Sequence, residues 1–414
     1  MLKNILTELK YKLGLKVEFD EYRTQLLVNQ YFNNLPSNIV INNDILYWLI
    51  QQLLVTHSVN DVIVFANNYA QHDITRNTIN LLYANANLDN DANWLKYVNR
   101  YLLSQNTYPL SLKTGNNSRF ERLYCKDITP IQSGPLVSVI MPVFNAEKTL
   151  VTAVNSILAQ SWKPLELIII DDNSQDKSWQ LIQNFERQNL RIKIIKNIKN
   201  VGPYVCKNIA LKYAKGAYIT CHDADDWAHP LRIENHITAV LQSDGKIKTS
   251  VTNMLRIKES GEFSYFSRIG TKMSSDGAAR LSAVSNLFET KFFHEQLGSW
   301  DCVKFGADSE IMGRTECLNN SGFTRLNNLG ISMLCLDLDN GLTNHHQYGI
   351  DKINGVSEPR KKYAIAARKW HESIRLTQDG YLEFPPIGCK FDRPLESNVK
   401  ISNISRVINE GHSI

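Results

Sequence analysis

Ala217-Tyr-Ile-Thr-Cys-His-Asp-Ala-Asp-Asp-Trp227 is a short apolar run of β type that stops abruptly in three carboxylates, Asp223, Asp225 and Asp226. Carboxylates this crowded repel one another unless a cation lies among them, and oxygen ligands at a strand end suit Mg²⁺ or Mn²⁺ better than Zn²⁺. The competing reading is a solvated acidic turn. Asp-x-Asp alone is weak, because Asp89-Asn-Asp91 and Asp337-Leu-Asp339 share it. The surroundings of 217–227 decide.

Upstream, Val137-Ser-Val-Ile-Met141 reads as a strand and Pro142-Val-Phe-Asn145 as the turn after it. A helix follows with Leu150, Val154, Ile157 and Leu158 on its inner face. Leu165-Glu-Leu-Ile-Ile-Ile170 is apolar enough to be buried on both faces, as parallel strands are, and ends at Asp171-Asp-Asn-Ser174. A helix carrying Trp179, Ile182 and Phe185 leads to strand Ile192-Lys-Ile-Ile195; then come the turn Asn197-Ile-Lys-Asn-Val-Gly202 and a helix over Val205, Ile209 and Tyr213. Strand and helix alternate strictly, which predicts an α/β fold, a parallel doubly wound sheet with helices on both faces. Ligands of such sheets bind beyond the C-terminal strand ends, where strand order reverses. The turns at 142–145, 171–174 and 223–226 all fall there.

The flanks differ. Residues 1–125 contain only Gly14 and Gly115 and carry apolar residues at helical spacing, among them Ile45, Trp48, Leu49 and Leu53, then Trp94, Leu95, Val98 and Leu102. Asn43 and Ser58 stand where N-caps belong. The first helix, with Leu2, Ile5, Leu6, Leu9 and Leu13 on one side, suits either an internal core or an anionic membrane surface. Near 358–375 a helix rich in Arg360, Lys361, Lys362, Arg368 and Lys369 is expected, its basic face open to solvent, to lipid headgroups or to an anionic acceptor. The expected division is a helical domain at 1–125, the sheet domain at 134–345, and a C-terminal helical extension and tail at 346–414.

The 414 residues are 43% apolar with no run of eighteen apolar residues, and the first ten residues break their apolar character with charge too often for a signal peptide. A cytoplasmic protein is expected, with the inner face of the membrane as its nearest surface. Seven cysteines without a Cys-x-x-Cys pair fit neither a disulfide framework nor a zinc knuckle. A net charge of +5 without basic runs interleaved with aromatics argues against nucleic acid.

Pro142-Val-Phe-Asn-Ala-Glu-Lys148 contains no glycine, which disfavours a dinucleotide fold, a P-loop and a sugar nucleotidyltransferase. A nucleotide diphosphate whose phosphates are neutralised through a cation at Asp225 remains.

Five pieces carry a resemblance: 137–145, 168–174, Asn200-Val-Gly202 with Lys207-Asn208, 217–227, and a later stretch from Leu287-Phe-Glu289 through Phe292-Phe-His-Glu-Gln-Leu-Gly-Ser-Trp-Asp301 to Phe305-Gly-Ala-Asp-Ser-Glu310 and Arg314. Residues 136 to about 320 resemble an inverting family 2 glycosyltransferase of the GT-A fold, of the bacterial polysaccharide or capsule type. The resemblance implies that Pro142, Phe144 and Asp171, with Val143 and Asn145 of the same turn, surround the base of a nucleotide, Asp171 accepting from a ring N–H as suits uracil. It implies ribose contacts at Asp223 and the adjoining Ala224, and metal ligation by Asp225, with Asp226 supporting the turn. Asn200 and Gly202 read as donor contacts or as turn residues. Lys207 stands where the family often has Arg, so a phosphate contact there is open. The family's acidic pair appears as Ala307-Asp308, which leaves Asp308 as general base and Glu310 as the alternative. Asn344-His-His-Gln347 offers His345 or His346 as a further metal ligand, whereas His222 should face the core. The implied activity is metal-dependent (Mn²⁺ or Mg²⁺) transfer from a nucleotide-sugar donor, a UDP-sugar, to a glycan or lipid-linked oligosaccharide acceptor. The alternative is a non-catalytic glycan-binding or scaffold subunit that keeps the fold.

Overall fold

The computed structural model describes residues 43–70, 72–264, 266, 274, 276–339, 341–342, 344–345, 347–351 and 355–410; the stretch from Leu2 to Leu13 and His346 lie outside the described residues. Four helices come first: α1 (Asn43–Thr56), α2 (Val59–Tyr69), α3 (Asp73–Asn85) and α4 (Asp91–Ser104). Ser58 caps α2, its side chain accepting from the Asp61 N–H.

The alternating part then follows as β1 (Val137–Val143), α5 (Leu150–Leu158), β2 (Leu165–Asp171), α6 (Ser178–Gln188), β3 (Ile192–Lys196), α7 (Pro203–Leu211) and β4 (Tyr218–Cys221). Every residue of β1 is buried, as expected of a strand covered on both faces. After the acids come β5 (Trp227–Ala228), α8 (Arg232–Leu241), β6 (Thr249–Val251), β7 (Asn253–Ile257), β8 (Phe263–Ser264), β9 (Arg280–Leu281) and β10 (Leu287–Glu289). The chain closes with α9 (Ala307–Glu316), β11 (Thr324–Arg325), β12 (Ile331–Leu336), α10 (Glu358–Thr377) and α11 (Ile401–Asn409).

The main sheet runs β11-β6-β10-β4-β1-β2-β3. Strands β1 to β4 are mutually parallel, and β10 lies antiparallel between β4 and β6. The chain moves outward from β1 through β2 to β3, then returns to place β4 on the other side of β1. Strand order therefore reverses at β1, and the register sets Val143 opposite Asp171 and Asp171 opposite Lys196, so these strand ends lie level. The crevice above them is the position where a ligand of a doubly wound sheet is held.

Residues 243–300, from which sequence alone drew little, build much of a second sheet, β8-β7-β12-β5 with β9 paired to β7. Its strand β5 begins at the residue after Asp226. The four helices cover this sheet: Leu46, Leu82, Trp94 and Leu102 share one apolar core with Trp227, Leu255, Ile257, Phe263 and Leu334. Trp94 stacks on Phe263 at 5.9 Å and donates its indole N–H to the Gly261 carbonyl at 2.9 Å. At the other end, Tyr363, Trp370 and Ile374 of α10 and Ile404 and Val407 of α11 enter the core formed by Val205 and Ile209 of α7 and Ile311 of α9.

Candidate active site

The acids leave β4 at the reversal point. One carboxylate oxygen of each of Asp223, Asp225 and Asp226 lies within 4.8 Å of the others, the one group of metal-ligating side chains of this kind among the described residues. Asp223 and Asp225 are half-buried; Asp226 is buried, and its Oδ1 accepts from the Leu336 N–H at 3.1 Å, which ties the acidic turn to β12. The Leu336 carbonyl in turn accepts from Arg256 Nη1 at 3.2 Å. That guanidinium comes from β7, and no sequence motif pointed to it. Burial, with Asp223 beside it, pushes Asp225 up to about 6 against the pull of Arg256. Asp223 is raised by burial against the opposing charge of Lys207, and Asp226 is raised by burial and by its two neighbours. Three carboxyls raised by burial and mutual repulsion, with oxygen donors only, fit a hard divalent cation, whose charge would reverse each of those shifts. His222 is turned away: it is fully buried, with Nε2 3.2 Å from the Asp226 carbonyl and Nδ1 3.2 Å from Arg232 Nη1.

At the end of β2, Asp171 is wholly buried. Its Oδ2 accepts from the Ser174 N–H at 3.2 Å, while Oδ1 has no hydrogen-bond partner. A buried acceptor without a donor is costly, on the order of 1–3 kcal/mol, unless a ligand supplies one. Asp172 is the latch beside it, accepting from the N–H groups of Val201 and Gly202 and from Asn197 Nδ2. Asn200 Nδ2 donates to the Asp172 carbonyl at 3.3 Å, and Gly202 has φ 84°, left-handed backbone that favours glycine. Asn200 and Gly202 thus both fix the turn that opens α7. Pro142 and Val143 are buried within β1, whereas the Phe144 ring is half exposed at the crevice rim. Asn145 takes positive φ; its N–H donates to Ser174 Oγ at 3.0 Å and its Oδ1 accepts from the Gln175 N–H at 2.8 Å. Ala224 is buried, its carbonyl accepting from Thr149 Oγ1 at 2.9 Å.

Asp308 stands on the first turn of α9. Lys207 Nζ, from α7, donates to its Oδ1 at 2.7 Å, with the lysine side chain 1% exposed and the aspartate 19%. The ammonium also lies 5.1 Å from the centre of the Tyr204 ring. Glu310 is differently placed: its fully buried carboxylate is 3.1 Å from both Arg314 Nε and His371 Nε2, a structural knot between α9 and α10. The i,i+4 spacing of Glu310 and Arg314 was a visible signal of that pair. His345 is not gathered with the acids; its ring stacks on Tyr348 at 4.6 Å and its Nδ1 accepts from the Gln347 N–H. Arg360 packs its guanidinium over Phe305 at 5.5 Å and donates to the Tyr348 carbonyl at 2.7 Å.

A sheet of this order, with carboxylates at its reversal point and a further acid on a helix opposite, has the layout of a doubly wound sheet with its acids where a ligand is held. Residues 138–274 match the family described as Glycosyl transferase family 2. An uncharacterized glycosyltransferase of Haemophilus influenzae is 42% identical over 109 residues, 26% of this chain and 44% of that protein. Escherichia coli WfaP, a UDP-Glc:alpha-D-GlcNAc-diphosphoundecaprenol beta-1,3-glucosyltransferase, is 40% identical over 102 residues, 25% of this chain and 40% of that protein. The chain thus spans less than half the length of these two relatives. A solved structure of S. aureus TarS 1-349 in complex with UDP-GlcNAc aligns with a TM-score of 0.43 at 14% identity, covering 66% of this chain and 71% of that one.

Proposed function

We propose that this protein transfers a sugar from a nucleotide diphosphate donor, a UDP-sugar, to a hydroxyl of a glycan or lipid-linked oligosaccharide, with inversion, in the synthesis of a cell-surface polysaccharide. The observation that carries this reading is the meeting of Asp308 with the acidic turn: Lys207 grips Asp308 while its charge also acts on Asp223. The vacant Oδ1 of Asp171 accepts from a ring N–H of the base, with the Phe144 ring beside it. Asp223 holds the ribose. Asp225, with Asp223 and Asp226 around it, would hold Mn²⁺ or Mg²⁺, which when bound neutralises the departing diphosphate. Attack by an acceptor hydroxyl on the anomeric carbon needs one proton acceptor on the far side from the leaving group. Asp308 takes that proton in a single displacement, and a single displacement inverts the anomeric centre. The similarity to WfaP, with its UDP-linked donor and lipid diphosphate acceptor, supports this donor and acceptor class.

The test is to incubate the purified chain with a panel of UDP-, GDP- and dTDP-sugars and Mn²⁺, following both nucleotide diphosphate release and transfer to extracted lipid-linked oligosaccharide. Release and transfer confined to UDP donors are expected. Nucleotide-sugar binding without release from any donor would favour the scaffold alternative.

A further inference from the structure

The loop at 299–302 and the tail at 379–393 line a half-open cavity of about 330 Å³, none of whose walls belongs to the acidic turn. Its volume lies within the range of small-molecule sites, ~300–1,000 Å³. The walls are fastened to each other. The Leu382 N–H donates to the Leu297 carbonyl at 3.0 Å, Ser299 Oγ donates to the Leu382 carbonyl at 3.0 Å, and Arg393 is ion-paired through Nη1 with Asp301. Both partners of that pair are more than nine-tenths buried, yet Arg393 Nε has no hydrogen-bond partner. That nitrogen is itself out of reach of solvent, so the pair fastens the walls and does not present this N–H to the cavity.

The remaining wall chemistry narrows the ligand. Lys390 is paired with Asp379 at 2.9 Å, and Glu383 adds another carboxylate, so cations and carboxylates nearly balance and neither an anion nor a cation is preferred. The Tyr381 ring is 40% exposed at the wall. An aromatic face for C–H surfaces and carboxylates for hydroxyl donors together suit a neutral, hydroxyl-rich ring.

Side chains of α9 and α10 join the cavity to the site. Tyr363 Oη donates to Asp301 Oδ2 at 2.9 Å, and its ring packs so close to Gly306 that a Cβ there would meet it at 2.9 Å. Gly306 immediately precedes α9, two residues before Asp308. Arg314 of the same helix donates to the carbonyls of Leu297, Ser299 and Gly380, holding both cavity walls. We infer that this cavity binds a pyranose unit of the acceptor glycan, remote from the hydroxyl that reacts. The inference rests on the transfer reading above.

Saturation-transfer NMR on the full chain, with the methyl β-glycosides of glucose, galactose and N-acetylglucosamine as probes, tests it. At least one glycoside should show transfer that survives excess UDP with Mg²⁺. Binding should weaken about tenfold in Tyr381→Ala, which removes the aromatic face on which the ring would stack. Gly388→Trp, at a lining residue where no atom lies within 4 Å of a Cβ, should also weaken it. Absence of transfer for all three glycosides, transfer abolished by UDP, or transfer unchanged in Tyr381→Ala overturns the assignment. Glycoside binding here without turnover of any donor would defeat the transfer reading alone; turnover without such binding would defeat only this site.

Discussion

Lys207 Nζ lies 2.7 Å from Asp308 Oδ1, joining the middle of α7 to the first turn of α9 across the candidate site. Burial alone would lower the lysine, but the carboxylates of Asp308 and Asp223 outweigh it and hold the ammonium well above its usual range. It therefore stays charged at any working pH and engages one oxygen of Asp308; under the proposed reaction the other would meet the acceptor hydroxyl.

Lys207→Met should lower turnover on the order of a hundredfold, the cost of a catalytic group displaced by about an ångström. UDP affinity should fall far less, and Lys207→Arg should recover part of the rate. Steady-state kinetics with isothermal titration of UDP check this; equal losses of rate and affinity would make Lys207 a donor ligand instead.

The Asp225 carboxyl, raised to about 6, predicts how metal and proton compete. An unfolded Asp titrates near ~3.9, so the folded chain binds this proton more tightly. The stability it contributes is whole below about pH 4 and is lost as pH rises through 6. A divalent cation replaces the proton, so Mn²⁺ should raise the melting temperature strongly at about pH 7.5 and weakly at about pH 5. Asp225→Asn should abolish the shift. Equal Mn²⁺ shifts at both pH values would contradict the site.

Glu310→Gln separates structure from chemistry. Its carboxylate offsets the buried Arg314 guanidinium, and losing that charge should cost about 3 kcal/mol in chemical denaturation. The rate per folded molecule should stay within a few-fold of wild type. A stable Glu310→Gln protein without transfer would move the base to Glu310.

The helical bundle is riveted to the second sheet through buried Asp276. Its Oδ2 accepts from Tyr101 Oη at 2.6 Å, its Oδ1 from the N–H groups of Ala278 and Ala279, and its carbonyl from Tyr47 Oη and Thr78 Oγ1. Asp276→Ala strands buried donors at roughly 1–3 kcal/mol each and should lower the melting temperature by several degrees. Deleting residues 1–125 should leave an aggregating chain, since it uncovers Trp227, Leu255 and Phe263. A soluble, monomeric truncation with native circular dichroism would show the shared core to be dispensable.

The alternating strands and helices were legible because each is long enough to show its period, and the acids stood out because they end an apolar run. The second sheet was not legible: β5, β8 and β9 are two residues each, too short for alternation to register. The bundle's stripes announce burial but not the partner, so its docking beside Asp226 was hidden. The roles of Asp172 and Lys207 were hidden for another reason. A buried charge is intelligible only with its partner, and those partners are the 197–202 turn and a helix a hundred residues downstream.

The most direct test compares Asp308→Asn with wild type in two measurements on the same preparation, calorimetric UDP binding with Mn²⁺ and transfer to acceptor. A general base acts as the hydroxyl attacks, so it contributes to the transition state and little to holding the donor. The account predicts unchanged UDP affinity with transfer reduced by roughly two to four orders of magnitude. Transfer at the wild-type rate in Asp308→Asn would contradict it.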